Sequence, residues 1–339
     1  MKAVSNKINT IYDVAKKAGV SPATVSRVLN APDTVAADKR MRVQNAIHEL
    51  NFVPKAEAVA KARSLYRKVG VVAPFFTEPS FMERLRGIAK VLASKHFELV
   101  VYSIDTSEDL SNYIQLLVNT RRVDALILLC VKPEKEVLSI LNDADFPVCF
   151  VEAVVEGFYS VAVPNLSGGK KAAEYLYSIG CRHPGFIGQS SDKGYSVGAT
   201  EERYQGFVSY FEGQGIQIPD NYVWIKDFTS GELEEGIDSY LSQKVLPDSV
   251  FCSSDVIAAR FIRIASSRGI KIPEDIKVIG FDNIDMSEHI GLTSVSQNLE
   301  ESGVLAARIV LEGIENNSSA ILNATVPVEV VERSSTGQK

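Results

Sequence analysis

Two periodicities divide the chain. Between Thr10 and Leu50 apolar residues recur every three or four positions, and from Val69 onward short β-branched runs alternate with helix-length segments. In the first part Ile11, Val14 and Ala18 form one apolar stripe. Thr10 is a good N-cap, Asp13 sits in the first turn where a carboxylate favours the helix dipole, and Gly19 can adopt the left-handed conformation that ends the helix, with Val20 packing at the turn. Ser21 then caps a second helix that has Pro22 at its first position, where a missing N–H costs nothing. Val25, Val28 and Leu29 face back to the first helix, and a third helix over about Ala37–Leu50 offers Val43, Ala46, Ile47 and Leu50. Three helices enclose a small core.

The second part reads differently. "VGVVAPF", "ELVVYSI", "DALILLC", "PVCFVE", "PGFIG", "YVWIKD", "SVFCSS" and "IKVIGFD" are continuous apolar strands separated by helical segments, the pattern of parallel sheets covered on both faces, and the length suggests two such sheets. In open parallel sheets ligands bind outside the carboxyl ends of the strands. Those positions hold Phe75 and Phe76 after Pro74, then Ser80 and Phe81, Glu152, Asp227 and Phe228, Ser254 and Asp255, and Asp282 with Asn283; Arg203 opens the "RYQGF" part of a helix. Carboxylates and an arginine fork beside aromatic faces can bond hydroxyl pairs and stack an apolar ring face. Plainer roles compete for some of them. At least one of Phe75 and Phe76 is expected in the core, Asp255 mainly as a helix cap, and Arg203 could instead pair with Glu201 or Glu202 at the surface. Asp282, closing a buried strand, needs a partner.

Charge separates the two parts further. Residues 1–68 carry 13 Lys and Arg against 5 Asp and Glu, and the remainder 23 against 37. The basic end suits a polyanion that the acidic body would repel. No apolar run approaches the roughly 20 residues of a membrane span, and "MKAVSNKINT" lacks the apolar segment of a signal peptide, so a cytoplasmic location is expected. Cys130, Cys149, Cys181 and Cys252 stand singly without metal-ligand spacing and read as reduced, mostly buried thiols. The four histidines are scattered, and "LSGGKKAAEYL" lacks phosphate-loop spacing, so neither an enzyme, a cofactor nor a metal site is expected.

A compact helix pair with a basic, small-residue face has the geometry of a helix-turn-helix, whose second helix presents its first residues to the major groove. Pro22, Ala23, Thr24, Ser26 and Arg27 occupy that face. Arg27 can bond guanine bidentately, Ala23 can touch a thymine methyl, and Thr24 and Ser26 suit phosphates or either base type. "YDVAKKAGVSPATVSRVLN" followed by "LNFVP" resembles the DNA-binding headpiece of the LacI/GalR (lactose-repressor) family, and "SSDVIAARFIRIASSRGIKIPEDIKVIGFDN" with "LTSVSQNLEESGVLAARIVLEGI" resembles that family's effector-binding core, itself similar to periplasmic sugar-binding proteins. The resemblance adds Thr10, Tyr12, Ser21 and Asn30 to the DNA-contacting set. It places Arg203 and Asp282 on the main effector contacts, Phe228 on an aromatic platform, Glu152 on an acidic contact, and Ser80 and Phe81 on the first-subdomain wall. Nothing is transferred to "VPN", where Pro164 precedes Asn165 and the family often has Asp.

The resemblance implies a hinge helix with a leucine wedged into the minor groove, yet the leucine position holds Lys61 and the preceding arginine position Val59. One turn later Arg63 and Leu65 reproduce the motif. "AEAVAKARSLYRK" therefore forms either a longer hinge helix with Leu65 as the wedge or an ordinary linker helix whose basic residues touch phosphates.

These readings imply an α/β protein with a three-helix headpiece at 8–51, a hinge at 52–68 and a periplasmic-binding-protein-like core at 69–335. Within the core, subdomain one comprises about 69–163 and 296–321, and subdomain two about 164–293 and 322–335. The implied function is that of a homodimeric, sequence-specific transcriptional regulator, a repressor of a pseudo-palindromic operator controlled by a small effector. Acidic pocket residues favour a neutral sugar or polyol over a phosphorylated one; a nucleobase corepressor, a protein coeffector or a sugar receptor without a DNA role are the alternatives.

Overall fold

The computed structural model of the chain describes residues 10–30, 34–50, 52, 66–190, 193–227, 230–316 and 321–337. The chain divides into two compact units, residues 1–68 and 69–339. No helix among the described residues is long and apolar enough to cross a membrane.

In the first unit, helices α1 (Ile11–Ala18), α2 (Pro22–Asn30) and α3 (Ala37–Glu49) enclose a core of Val14, Ala15, Ala18, Val25, Val28, Val43 and Ala46. Ile11, Val20, Leu29, Ile47, Leu50 and Phe52 pack around it. The start of α1 is a capping box: the Thr10 hydroxyl accepts from the Asp13 amide, and the Asp13 carboxylate accepts from the Thr10 amide at 2.8 Å. Two of the helix's orphan donors are thereby satisfied. Gly19 ends α1 at φ 64°, and Ser21 caps α2 by accepting from the Thr24 amide at 3.2 Å.

The second unit contains two six-stranded sheets. The first has strand order β11 (Asn323–Thr325), β5 (Tyr159–Ala162), β4 (Val148–Val151), β3 (Ala125–Leu129), β1 (Lys68–Pro74) and β2 (Glu98–Ile104). The second runs β12 (Glu329–Val331), β10 (Thr293–Ser296), β9 (Lys277–Asp282), β8 (Ser249–Cys252), β6 (Pro184–Gln189) and β7 (Val223–Lys226). Its pairs are parallel except β10–β12. Central strands such as β3, buried at all five positions, are continuously apolar because helices cover both faces. Residues 322–335 do not all join the second subdomain as expected. Asn323–Thr325 pairs with β5 in the first sheet, and only Glu329–Val331 reaches the second, so the last crossing lies between these strands. Strands this short carry little periodic signal, and pairing partners decide their sheet.

Two helix crossings built alike position the site. In subdomain one, α4 (Pro79–Ser94) packs on α12 (Leu299–Asn316); in subdomain two, α7 (Asn165–Ser178) packs on α8 (Ala199–Gly213). Each crossing is glycine-to-backbone. A Cβ on Gly303 would lie 2.1 Å from the Arg84 carbonyl oxygen, and one on Gly169 would lie 1.9 Å from that of Arg203. The helices touch where each arginine leaves its backbone, so the glycines set the depth of both side chains. Gly169→Ala is expected to destabilise the protein by about 1–3 kcal/mol through overpacking. Gly213→Ala, at a helical glycine with open space around it, should be neutral or stabilise by up to about 1 kcal/mol. Urea denaturation of both variants distinguishes these outcomes.

Candidate functional sites

On the headpiece, Thr10, Tyr12, Ser21, Ala23 and Arg27 are exposed and Pro22, Thr24 and Ser26 half-buried, so α2 carries its polar N-terminal face outward while Val25 and Val28 hold it to α1 and α3. Tyr12, in the first turn of α1, is 71% exposed. The side chain of Asn30, together with Arg63, Leu65 and most of the proposed hinge, lies outside the described residues.

In the second unit a cleft of about 540 Å³ opens between the carboxyl ends of the two sheets. Phe75 follows β1, Cys130 β3, Glu152 β4, Ser253 β8 and Gln297 β10, and Asp282 ends β9. Four of these have positive φ: Phe75 51°, Cys130 55°, Glu152 72° and Asp282 116°. Non-glycine residues held there store of order 1–3 kcal/mol each, and such strain clusters at functional sites.

The floor is a buried ionic network. Arg84 Nη2 donates to Glu152 Oε2 at 2.9 Å and to Gln297 Oε1 at 2.8 Å, and its Nη1 donates to Cys130 Sγ at 3.2 Å. From subdomain two, Arg203 Nη2 donates to Glu152 Oε1 at 3.2 Å, Nε to Asn165 Oδ1 at 2.8 Å and Nη1 to the Ser253 carbonyl at 2.7 Å. Asn165 Nδ2 and the Cys130 thiol also donate to Glu152, at 3.1 and 2.9 Å. Asp282 accepts from Gln297 and lies 3.9 Å from Arg203. The Arg203 guanidinium stacks 3.8 Å from the centre of the Phe281 ring. Among the described residues, Arg84 Nε is the buried side-chain nitrogen or oxygen without a hydrogen-bond partner.

These surroundings split the two carboxyls. Burial pushes Glu152 up, but Arg84, Arg203 and the donated hydrogen bonds more than reverse this and hold it at about 2. For Asp282 burial dominates over Arg203, and nearby Asp255 adds to the rise, to about 7. Burial, with Glu152 alongside, keeps Cys130 a thiol with its pKa well above the ordinary value.

Phe75, Ser80, Phe81, Glu152, Arg203, Ser254 and Asp282 all line the cleft, as the sequence suggested, whereas Phe228 lies outside the described residues. Two expectations fail, the core placement of a Phe75 or Phe76 ring and the capping role of Asp255. Phe75 and Phe76 are 45% and 36% exposed, so neither is core; β1 ends at Pro74 and a turn carries both rings outward. Of the two readings of Arg203, the inward one holds: it reaches Glu152 in the cleft rather than Glu201 or Glu202 at the surface. Asp255 does not cap its helix and is not among the residues lining the cleft. Ser254 caps α10 (Asp255–Ser267), while Asp255, fully buried, accepts from the Ile284 amide, Ser287 and Ser294 and ties α10 to the end of the second sheet. Sequence reasoning missed Arg84, Asn165 and Gln297. Arg84 lies in "EPSFMERLRGI", where a charged residue at helical spacing among apolar neighbours is the available signal.

A helical headpiece joined to a two-subdomain cleft defines a ligand-responsive DNA-binding regulator. Residues 10–55 match the lacI family of bacterial regulatory proteins, and residues 173–336 match a periplasmic binding protein-like domain. The chain is 32% identical to a ribose operon repressor of Halalkalibacterium halodurans, covering 97% of each chain, and 30% identical to the HTH-type transcriptional repressor PurR of Serratia proteamaculans, covering 96% of each. The structure of the lac repressor dimer bound to operator and the anti-inducer ONPF superposes with a TM-score of 0.81 at 24% identity, over 97% of this chain and 99% of that one. The chain belongs to the LacI family of transcriptional regulators, DNA-binding repressors with a ligand-binding core.

Because Asp282 holds its proton in the folded state up to about pH 7, against an ordinary 3.8, its stabilising contribution is complete below about pH 4 and is lost as pH rises through 7. Asp282→Asn should therefore lose less stability than the parent between about pH 5 and 8. Urea midpoints across that range measure the difference, and identical pH slopes would show that Asp282 is ionised throughout.

Proposed function

We propose that the chain is a cytoplasmic, homodimeric repressor, without enzymatic activity, whose hold on a pseudo-palindromic operator is set by a neutral sugar or polyol bound in the interdomain cleft. The observation that carries the ligand class is that the floor's one fully charged carboxylate is already saturated by protein donors. Glu152 is held between Arg84 and Arg203 and has no free oxygen edge, Asp282 keeps its proton to about pH 7, and Arg84 Nε–H has no protein acceptor. A neutral ligand oxygen that took up this donor would recover a desolvation cost of about 1–3 kcal/mol, and its hydroxyls could donate to Asp282. Phosphate would face Glu152 and the rim carboxylates Glu78, Glu201 and Asp227. The likeness to a ribose operon repressor agrees with a sugar. A nucleobase is the second reading, since the exposed Phe75 ring at the mouth offers it a stacking face.

On DNA, the α2 face of Pro22, Ala23, Thr24, Ser26 and Arg27 meets the base edges, and Thr10, Tyr12, Ser21 and Asn30 fix the register on phosphates. Arg63 and Leu65 supply the hinge contact if the hinge helix extends that far.

The test is fluorescence anisotropy with an operator obtained by in-vitro selection, at two salt concentrations, with a panel of neutral sugars, polyols, sugar phosphates and nucleobases. Affinity should fall steeply with salt, one neutral carbohydrate should shift it by about 1–3 kcal/mol, and Arg27→Ala should lose about 1–3 kcal/mol of discrimination at one base pair. Response to a sugar phosphate alone would overturn the ligand class, and unchanged discrimination in Arg27→Ala would overturn the assignment of the reading helix.

A further inference from the structure

Between β6 and α8 the chain reads Lys193-Gly194-Tyr195-Ser196-Val197-Gly198. By connectivity this segment belongs to subdomain two, yet Tyr195 is 2% exposed and sits in the apolar core of subdomain one, among residues that include Val72, Ile104, Leu110, Val131 and Phe158, with Val197 packed beside it. Three backbone or near-backbone contacts fix the insertion. The Lys132 amide donates to the Tyr195 carbonyl at 2.8 Å. The Tyr195 hydroxyl reaches the Asp105 carbonyl at 3.4 Å. A Cβ on Gly194 would lie 3.0 Å from Ser107 Oγ and 3.2 Å from Glu134 Oε1, so the segment lies close against subdomain one. Alongside, Lys193 Nζ stands 4.8 Å from the Phe75 ring centre and 5.9 Å from that of Tyr195, a cation over two aromatic faces at the mouth of the cleft.

We infer that Tyr195 is a positioning residue that clasps the two subdomains together across the effector cleft, so that the ligand-free chain already favours the closed arrangement. The inference rests on the cleft being the effector site. A buried tyrosine is a large apolar payload, and extracting it re-exposes both its own ring and the pocket that receives it. The clasp consists only of protein groups. A ligand that binds the closed cleft then shifts an equilibrium that already lies on that side, and one that needs the cleft open works against the clasp.

Hydrogen–deuterium exchange on the full ligand-free chain tests this without reference to any effector, so its outcome stands apart from whether a sugar is found. The Lys132 amide, whose acceptor is the Tyr195 carbonyl, is the reporter; the Leu128 and Phe251 amides, in central strands of the two sheets, are the controls. In Tyr195→Ser, exchange at Lys132 should rise by at least about tenfold while both controls stay slow, and Tyr195→Phe should keep the parental pattern, because the ring and not the long hydroxyl contact makes the plug. Undiminished protection of Lys132 in Tyr195→Ser would overturn the clasp, as would an equal rise at Leu128 and Phe251, which would make Tyr195 an ordinary core residue.

Discussion

Glu152 keeps its charge while almost fully buried, which is tolerable only because Arg84 and Arg203 reach it from helices in different subdomains. An unpaired carboxylate at that depth would cost several kcal/mol, and so would either arginine without it. The rest of the cleft follows from this three-way contact. Asn165 and Cys130 complete the carboxylate's hydrogen bonds, Gln297 links Arg84 to Asp282, and Asp282, whose contact with Arg203 is a long 3.9 Å, is the floor carboxyl whose proton is retained near neutrality. The two subdomains therefore share charges that neither can leave without exposing the other.

The pairing depends in turn on backbone geometry. Arg84 and Arg203 occupy equivalent places near the start of helices that follow the first strand of each sheet, and each is pressed by a glycine of a neighbouring helix. Glu152 stands in a left-handed conformation at the end of β4, which turns its side chain into the cleft. Packing thus sets where the charges lie, and the charges set what the cleft can accept.

Much of this was legible in the sequence because the signals were local. Thr10, Gly19, Ser21 and Pro22 punctuate the headpiece with cap chemistry that needs no tertiary information, and Asp282 closing an apolar strand announced a partner. The rest is decided at long range. Arg84 lies 68 positions from Glu152 and 213 from Gln297. Phe75 is a phenylalanine turned outward by a turn that its own identity does not dictate. Asp255 looked like a cap because it begins a helix, yet the three donors that claim it come from residues 29 to 39 positions away. The short strands Asn323–Thr325 and Glu329–Val331 were assigned by pairing, which no period within three residues can express.

The most direct measurement of the shared-charge floor is a double-mutant cycle of Arg84→Met and Glu152→Gln by urea denaturation. Each single change leaves a buried group without its partner, and the pair removes both charges. The expected result is that the double variant is more stable than the sum of the single losses implies, by at least about 1 kcal/mol. Additive losses would mean that Arg84 and Glu152 do not depend on each other, and the cleft would have to be held by something other than this ion pair.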